Sequence, residues 1–284
     1  MIAEPNEKEL LEVAQGAARG AGELLLERFR SGEVGNVEAK STPTDLVSEA
    51  DLASQRLIRE LIRKSRPADG FLGEEKDADG PAENASGLTW VVDPLDGTVN
   101  FLFGIPQWCV SVAVTDRRGI VAGAIYDPCR GELFSATRGG PAMLNGQELM
   151  GPPARELQHA MVATGFYYEA KVRAVQAGVL ERLLPAVRDI RRFGSAALDL
   201  AWTAAGRYDA YFERGIKQWD RAAGELLCRC SGLGVRELAP VRGPEGEELA
   251  PAGVLVARGG LLDQLESLIV GVVPSQSKSP SATG

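Results

Sequence analysis

Two aspartates stand three residues apart in the segment WVVDPLDGT, residues 90–98, where an apolar run meets a turn. Pro94 has no backbone N–H for a strand ladder, so the strand is predicted to end at Asp93. The DGT sequence that follows is typical of a turn that opens a helix, whose first N–H groups favour an anion. The two carboxylates can converge on this corner, where they repel each other unless a cation neutralises them. Oxygen ligands without histidine suit Mg²⁺ or Mn²⁺.

Three other segments place acids where they can join this corner. FLGEE (71–75) puts two glutamates after a short apolar stretch, TDLVSEAD (44–51) ends on Asp51, and QWDRAAG (218–224) places Asp220 at a helix start. Each also has a purely structural interpretation: a solvated loop for the glutamates and a helix cap for the aspartates. The Asp-Pro and Asp-Gly pairs likewise fit an ordinary turn.

The composition limits the chemistry and the partners. The chain has 284 residues, 44% hydrophobic and 25% charged, which is typical of a globular protein with one large or two packed domains. A net charge of −8 argues against nucleic acid as the main partner. Because His159 is the one histidine, a two-histidine zinc site within one chain is excluded.

The cysteines and the amino-terminal residues bear on the compartment. The four cysteines show neither zinc-ribbon nor secreted-scaffold spacing. The start, MIAEPNEKELLEV, has neither the basic nor the apolar region of a signal peptide. No apolar run approaches the roughly 18 residues of a membrane span. We therefore expect reduced thiols and a cytoplasmic protein without a membrane segment.

Hydrophobic periodicity predicts the elements of the first half. Apolar residues recur at helical spacing over 7–30 and 45–64, with Asp45 as the cap of the second helix. Asn145-Gly146 predicts a hairpin turn. Apolar β-branched runs predict four strands, at 89–93, 107–115, 120–127 and 131–137.

Strands and helices alternate after the Gly151-Pro152-Pro153 segment, which predicts an α/β layer. The predicted strands are 160–164, 188–192, 208–213 and 253–257. The predicted helices are 171–184, 195–205, 218–231 and 260–270. Gly232 and Gly234 are predicted helix C-caps, and 240–250 is predicted to be an exposed hairpin or loop.

This order predicts two halves and a tail. Residues 1–150 form an α+β half with most of the acidic segments, and residues 151–272 form an α/β half that completes the site. The polar residues 273–284 are predicted to be a disordered tail.

Taken in chain order, the acidic segments resemble those of the inositol monophosphatase family, in the lithium-inhibited, Mg²⁺-dependent phosphatase superfamily. The resemblance covers about residues 8–270. The sequences of the segments NFLFGIP and GRYDAYFERG are most similar to those of bacterial inositol-1-monophosphatases. The motifs that carry the resemblance are KSTPTDLVSEAD, FLGEE, WVVDPLDGTVNF, RRFGSAALDL and AYFERGIKQWD.

The resemblance implies a role for individual residues. Glu74 and Thr98 would orient the nucleophilic water, with Asp51 supporting Thr98, and Lys40 would lie near the metal. The implied metal ligands are Glu74, Asp93, the Leu95 carbonyl, Asp96 and Asp220. The implied substrate-binding residues are Asp96, Gly97, Thr98, Gly194, Ser195, Ala196, Glu213 and Asp220.

The resemblance also implies a fold and an activity. The fold is a layered αβαβα sandwich of the inositol monophosphatase and fructose-1,6-bisphosphatase type, combining α+β and α/β parts, and the chain forms a homodimer. The implied activity is Mg²⁺-dependent hydrolysis of a small phosphate monoester, inositol 1-phosphate, by a metal-activated water, with sensitivity to lithium.

Alternatives stay open beside this reading. The same mechanism can act on fructose-1,6-bisphosphate, histidinol phosphate or a 3′-phosphoadenosine nucleotide, for which Arg214 and Lys217 are the candidate extra cations. Some bacterial relatives act as binding partners in RNA-polymerase complexes. The CX5R pattern from Cys230 to Arg236, which is typical of cysteine-based phosphatases, is discounted because Arg229 rather than histidine precedes it.

Overall fold

The computed structural model describes residues 6–32, 37–39, 46–75 and 84–270. Three expectations fall outside these ranges and are not tested: Lys40 near the metal, Asp45 as a helix cap, and the tail 273–284. In the described ranges, the α-helices are α1 (Glu7–Ser31), α2 (Glu49–Ser65), α3 (Thr98–Leu102), α4 (Ala170–Leu183), α5 (Ala196–Ala204), α6 (Gln218–Cys230) and α7 (Gly260–Val270).

In the described ranges, the strands form two large sheets and two short antiparallel pairs. In the first half, the strands are β1 (Val37–Ala39), β2 (Leu46–Ser48), β3 (Gly70–Gly73), β4 (Thr89–Asp96), β5 (Cys109–Asp116), β6 (Gly119–Asp127), β7 (Glu132–Thr137), β8 (Met143–Leu144) and β9 (Gln147–Glu148). In the second half, they are β10 (Met161–Thr164), β11 (Asp189–Arg191), β12 (Ala210–Arg214), β13 (Gly234–Leu238), β14 (Val241–Arg242), β15 (Glu248–Ala250) and β16 (Gly253–Ala257).

The first sheet runs in the order β3-β4-β5-β6-β7-β8-β9. Its strands are antiparallel except for β3, which lies parallel to β4. The turn between β8 and β9 has Asn145 and Gly146 at positive φ, as the Asn-Gly pair predicts. Because β3 and β4 are parallel neighbours, their carboxyl ends lie side by side at one edge of the first sheet.

The second sheet runs in the order β11-β10-β12-β16-β13. Its strands β11, β10 and β12 are parallel, whereas β16 is antiparallel to both of its neighbours. The carboxyl ends of β10 and β12 meet at one edge, which is where open α/β sheets place their binding crevice.

Helices separate and cover the two sheets, which gives five layers. Helices α1 and α2 pack on one face of the first sheet, and α6 packs on the other face. Helix α5 packs against α6 and against β10, β12 and β16, while α7 packs on β16 and on α4. The order is α1/α2, first sheet, α5/α6, second sheet, α4/α7, and it confirms the predicted αβαβα sandwich.

Apolar residues fill the space between these layers. One cluster joins α1 and α2 to the first sheet around Trp90 and Trp108. A second lies between the two sheets and includes Phe134, Trp202 and Tyr211. A third joins the second sheet to α7. Because the second cluster contains residues from both predicted halves, the halves share one core, and their boundary near 150 stays a prediction.

Three predicted elements differ from the structure. Helix α2 begins at Glu49 rather than at 45, because the Asp51 carboxylate accepts hydrogen bonds from the N–H and hydroxyl of Ser48 and so closes a capping box. Strand β4 continues past Pro94, because a register shift between Asp93 and Asp96 lets Asp96 pair with Cys109.

The third difference concerns the end of α6. Gly232 follows the helix at φ 80°, as a C-terminal glycine does. Gly234 is not a cap: it starts β13, which pairs with β16 over its full length. The segment 240–250 is the expected hairpin, formed by β14 and β15. In the part of the chain that the structure describes, no helix combines the length and the apolar character that crossing a bilayer requires.

The packing of α5 on α6 depends on Gly224. A Cβ at this position would lie 2.5 Å from the Leu200 Cβ, which cannot rotate away. Gly224→Ala is expected to lower the free energy of unfolding by about 1–3 kcal/mol through overpacking. Gly16, an exposed glycine in α1 with nothing within 4 Å of the added Cβ, is the matched control. Gly16→Ala is expected to raise stability by about 0.5–1 kcal/mol. Urea unfolding of both variants measures the difference; equal effects would contradict the account.

Candidate active site

The register shift in β4 shapes the corner that the sequence singled out. The Leu95 N–H donates to Asp93 Oδ1 at 3.0 Å, which fixes the Asp93 carboxylate within the turn. Gly97 follows at φ 97°, and a Cβ there would lie 2.9 Å from the Gln107 carbonyl oxygen, so this position requires glycine. Helix α3 then starts at Thr98. The corner therefore directs Asp93, Asp96 and Thr98 from a single tight turn.

Helix α2 holds Thr98 from one side. The Thr98 hydroxyl lies 2.9 Å from Asp51 Oδ1 and 3.0 Å from the Leu95 carbonyl oxygen. Asp51 is fully buried, and its other oxygen, Oδ2, caps α2 through Ser48. One turn on, the Ser54 hydroxyl donates to the Pro94 carbonyl at 2.7 Å. One carboxylate thus both starts the helix and orients Thr98.

Helix α5 holds Asp96 from the other half of the chain. Asp96 Oδ2 accepts hydrogen bonds from the Ser195 hydroxyl at 2.5 Å and from the Ala197 N–H at 2.7 Å. Ser195 is itself the N-cap of α5, accepting from the Leu198 N–H. The same carboxylate oxygen lies 3.8 Å from the buried Cys109 thiol. The first turn of α5 therefore fixes the Asp96 carboxylate.

The remaining two acids come from β3 and α6. Glu74 directly follows β3, and its N–H donates to the Val92 carbonyl at 3.0 Å, which extends the parallel pairing with β4. Asp220 lies in the first turn of α6, where its Oδ2 accepts from the Lys217 N–H at 2.6 Å. Asp220 is therefore not the predicted N-cap, which is Lys217, but the third residue of the helix, whose carboxylate accepts the N-cap N–H. The residue also faces the cavity described next.

A cavity of about 370 Å³ brings these acids together. Four groups of residues line it: the β3–β4–α3 corner, the segment after β10 with Arg173 on α4, the residues at the start of α5, and the end of β12 with the loop to α6. The lining residues are Glu74, Asp93, Leu95, Asp96, Gly97, Thr98, Val99, Asn100, Gly165, Phe166, Tyr167, Tyr168, Arg173, Arg192, Gly194, Ala196, Glu213, Arg214, Gly215, Ile216 and Asp220.

Most of the residues that sequence reasoning assigned to the site line this cavity. Two do not. Asp51 lies behind Thr98, and Ser195, 1% exposed, lies behind Asp96. The Ser195 hydroxyl therefore contacts a carboxylate where sequence reasoning placed a substrate contact.

The segment 165–168, Asn100, Arg173, Arg192 and Ile216 were missed by the sequence reasoning. The segment 165–168 had a signal in the sequence, since residues that follow a predicted parallel strand are expected at a binding edge. Asn100 also had a position inside a quoted motif. Its side chain donates to the Gln107 and Phe193 carbonyl oxygens and so ties the corner to the segment before α5. No signal in the sequence identified Arg173.

Burial and mutual repulsion perturb the acids. Burial, followed by the charge of Glu74, raises the pKa of Asp93 and of Asp220 well above the usual range. Burial also raises the pKa of Asp96 to about 6, against the opposing effect of the Ser195 hydrogen bond. The nearby carboxylates of Asp96 and Asp220 add to the rise in the pKa of Asp93.

The donor set fits a hard divalent cation. Four carboxylates and the Leu95 carbonyl supply only oxygen ligands, which suit Mg²⁺ or Mn²⁺. Burial first, and then the charges of neighbouring carboxylates, raise the pKa values of Asp93, Asp96 and Asp220, and a bound cation would offset both effects. Over the described ranges, no three acidic, cysteine or histidine side chains are already close enough to enclose a metal ion.

The cysteine pattern that resembles another phosphatase class has no reactive setting. Cys230 ends α6, and its thiol donates to the Thr137 carbonyl oxygen at 3.3 Å. Burial raises its pKa, whereas a nucleophilic thiol needs a lowered pKa. Arg236 pairs with Asp263 and Glu266 on α7 rather than with the thiol. The segment from Cys230 to Arg236 therefore lacks the features of a cysteine-phosphatase site.

A layered αβαβα sandwich with an acid-lined cavity at the strand ends defines the class of protein, and comparison with known proteins identifies the family. A model of the inositol monophosphatase family matches residues 6–272. The chain therefore belongs to the inositol monophosphatase family, whose members include phosphatases.

Named relatives agree with this assignment. The chain is 44% identical over 240 residues to the inositol-1-monophosphatase of Mycobacterium leprae (strain TN), covering 81% of this chain and 80% of that protein. It is 42% identical over 225 residues to the Nus factor SuhB of Escherichia coli (strain K12), covering 78% and 83%. The crystal structure of the extragenic suppressor protein suhB from Bartonella henselae superposes with a TM-score of 0.82 at 34% identity, covering 93% and 100%.

The raised carboxyl pKa values predict how pH changes stability without metal. Ionising a group whose folded pKa is raised costs stability, so for Asp96 stability is full below about 4 and is lost as pH rises toward about 6. A rise from 3.8 to about 6 corresponds to a loss of about 3 kcal/mol. In EDTA, the melting temperature should be lower at pH 7.5 than at pH 5, and Mg²⁺ should restore it.

Asp93→Asn provides the control, because it removes one repelling charge without changing the size of the side chain. In EDTA at pH 7.5, this variant should melt above the wild type and gain little from Mg²⁺. A wild type that melts higher at pH 7.5 than at pH 5 in EDTA would contradict the electrostatic account.

Proposed function

We propose that the protein hydrolyses inositol 1-phosphate to inositol and phosphate with a Mg²⁺-activated water. The observation that carries the proposal is one cavity in which four acids and Thr98 occupy the corner next to Glu213 from β12. The acids fit a divalent cation and its phosphate, and Glu213 fits a polyol.

Glu74, Asp93, the Leu95 carbonyl, Asp96 and Asp220 are the proposed metal ligands, and Mn²⁺ suits the same donors. Bound Mg²⁺ supplies Lewis-acid activation of water and neutralises charge on the phosphate and leaving oxygens. The chain keeps the ligands in place before the metal arrives. Asp93 is held by its own turn, Asp96 by α5 and Asp220 by the start of α6.

Thr98 and Glu74 are the proposed residues that orient the attacking water. The Thr98 hydroxyl has two acceptors within 3.0 Å, Asp51 Oδ1 and the Leu95 carbonyl oxygen. Because it donates its single proton to one of them, its lone pairs point away and can accept a hydrogen bond from the attacking water. Gly97 and Thr98 are the proposed backbone contacts of the phosphate.

Glu213 is the proposed contact for the hydroxyls of the substrate. Its Oε2 accepts from the Tyr211 hydroxyl at 2.9 Å, and Gly165 packs directly against the carboxylate, where any Cβ would clash. An acceptor carboxylate suits ring hydroxyls and disfavours a second phosphate. Gly194, Ala196, Asp96 and Asp220 complete the proposed substrate contacts, with Ser195 acting through Asp96.

The other phosphate monoesters receive less support. A bisphosphate or a phosphorylated nucleotide needs an additional cation in the pocket, and Arg214 was a candidate. Its guanidinium donates to the carbonyl oxygens of Ala239 and Pro251 and is therefore already committed to the backbone. Arg173 and Arg192 also line the cavity, so it is the Glu213 carboxylate, which disfavours a second phosphate, that makes fructose-1,6-bisphosphate and a 3′-phosphoadenosine nucleotide the weaker alternatives. Histidinol phosphate stays a further alternative.

A second candidate function is a binding role in RNA-polymerase complexes, favoured by the relative named Nus factor SuhB. A pull-down with Asp93→Asn separates this role from catalysis.

The proposal also includes a cytoplasmic location, a homodimer and inhibition by lithium. The cytoplasmic location is supported by four free cysteines, and the other two properties are supported by family membership.

Asp93→Asn tests the metal assignment. The variant should fold and should lose phosphate release from inositol 1-phosphate by at least about 100-fold at saturating Mg²⁺, because one charge of the ligand set is removed. A malachite-green assay with and without Mg²⁺ measures the loss. Turnover close to that of the wild type would refute the assignment, as would wild-type turnover in EDTA that a thiol reagent abolishes.

Glu213→Gln tests the substrate assignment. Losing a charge-assisted hydrogen bond of about 1.5–3 kcal/mol should lower kcat/KM for inositol 1-phosphate about 10- to 150-fold and spare p-nitrophenyl phosphate, which lacks ring hydroxyls. Burial raises the pKa of Glu213 to about 7. The wild-type KM for inositol 1-phosphate should therefore fall as pH rises through about 7, and the variant should lose this step. An equal loss with both substrates would contradict the role.

A further inference from the structure

Two buried glutamines each form two hydrogen bonds with the backbone of a segment at the cavity, one on each of two different walls. Gln55, on α2, donates through Nε2 to the Glu75 carbonyl at 2.8 Å and accepts the Glu75 N–H on Oε1 at 3.0 Å. The side chain is 1% exposed. Its carboxamide thus pairs with both backbone groups of the residue that follows Glu74.

Gln176, on α4, does the same for the wall after β10. It accepts the Tyr167 N–H on Oε1 at 3.0 Å and donates through Nε2 to the Gly165 carbonyl at 3.2 Å. This side chain is 6% exposed. We call each arrangement, Gln55 on Glu75 and Gln176 on Gly165 and Tyr167, a glutamine clamp.

Each glutamine clamp takes over where a strand stops. The pairing of β3 with β4 ends with the Glu74 N–H on the Val92 carbonyl, and Gln55 supplies the next pair of hydrogen bonds. Beyond the end of β10, Gln176 supplies the pair for the segment from 165 to 167. Buried backbone groups need such partners, so the clamps fix where each segment runs.

The two walls carry different parts of the proposed chemistry. Glu74, a proposed metal ligand, lies between β3 and the Gln55 clamp. Gly165, held by the Gln176 clamp, packs against the Glu213 carboxylate so closely that a Cβ would clash. Gly73 is fitted to its clamp in the same way, since a Cβ there would overlap the Gln55 carboxamide.

We propose that Gln55 and Gln176 are positioning residues with separate effects: Gln55 sets metal affinity through Glu74, and Gln176 sets polyol binding through Gly165 and Glu213. This inference rests on the proposed function. A support that holds a ligand from behind commonly changes metal affinity about 10- to 100-fold when it is removed. The two clamps provide a matched pair, because the substitution is the same and only the wall differs.

Gln55→Met and Gln176→Met test the proposal, since Met is unbranched and removes both hydrogen bonds. In the full-length protein, Mn²⁺ binding is titrated by electron paramagnetic resonance without substrate, and KM for inositol 1-phosphate is measured at saturating Mg²⁺. Gln55→Met should raise the Mn²⁺ dissociation constant about 10-fold or more and leave KM within about 2-fold. Gln176→Met should raise KM for inositol 1-phosphate and leave the Mn²⁺ dissociation constant within about 2-fold.

Further measurements keep the outcome interpretable. If a Met variant does not fold, Gly73→Ala displaces the first clamp from the loop side, and Gln176→Glu keeps only the acceptor of the second. Amide hydrogen exchange should accelerate at residues 73–75 in the variants of the Gln55 clamp and at residues 165–168 in the variants of the Gln176 clamp. If both variants shift the same parameter, or lose only melting temperature, the glutamines are structural and the proposal is wrong.

Failure of the proposed function would look different. A wild type that releases no phosphate from inositol 1-phosphate defeats the proposed function. In that case, Mn²⁺ affinity and hydrogen exchange at the two walls still decide whether each clamp holds its own segment.

Discussion

Mutual repulsion of carboxylates is the constraint on which the rest of this structure depends. Glu74, Asp93, Asp96 and Asp220 share one cavity, and burial raises the pKa of three of them. A fold can keep such a group together only when N–H and O–H donors compensate each charge. The donors to Asp93, Asp96 and Asp220 come from three places, the β4 turn, α5 and the start of α6, and Glu74 is positioned at a fourth, where its own N–H continues the pairing of β3 with β4. The five-layered architecture is what brings these four places to one edge.

Asp96 is where the two halves of the chain depend most directly on each other. It lies on the first sheet, yet the N-cap hydroxyl of α5 and the N–H of the second residue of that helix, Ala197, hold its carboxylate. Close packing of α5 on α6 at Gly224 then relates Asp96 to Asp220. A change in the core between the sheets is therefore transmitted to the acids. The shared core and the shared site are consequences of the same packing.

Local patterns made the corner and the helices predictable. An apolar strand, a proline and an Asp-Gly turn are adjacent in sequence, so their geometry follows from short-range rules. Strand β13 and the position of Arg192 at the cavity depend on which strands pair across long stretches of chain, and one sequence does not show that. The continuation of β4 past Pro94 was missed because a bulge, which leaves no signature in the residue types, re-establishes the pairing.

The structural and the chemical interpretations of the aspartates are not alternatives. Asp51 closes the capping box of α2 with Oδ2 and orients Thr98 with Oδ1. Asp220 accepts the Lys217 N–H at the start of α6 and lines the cavity at the same time. A carboxylate has two oxygens and about four lone-pair positions, so one oxygen can stabilise a helix while the other faces the chemistry. A helix start is a rigid place for such a group, because the hydrogen bond that begins the helix also fixes the side chain. A helix-capping aspartate beside a cavity of acids is therefore better positioned for catalysis because it is a cap.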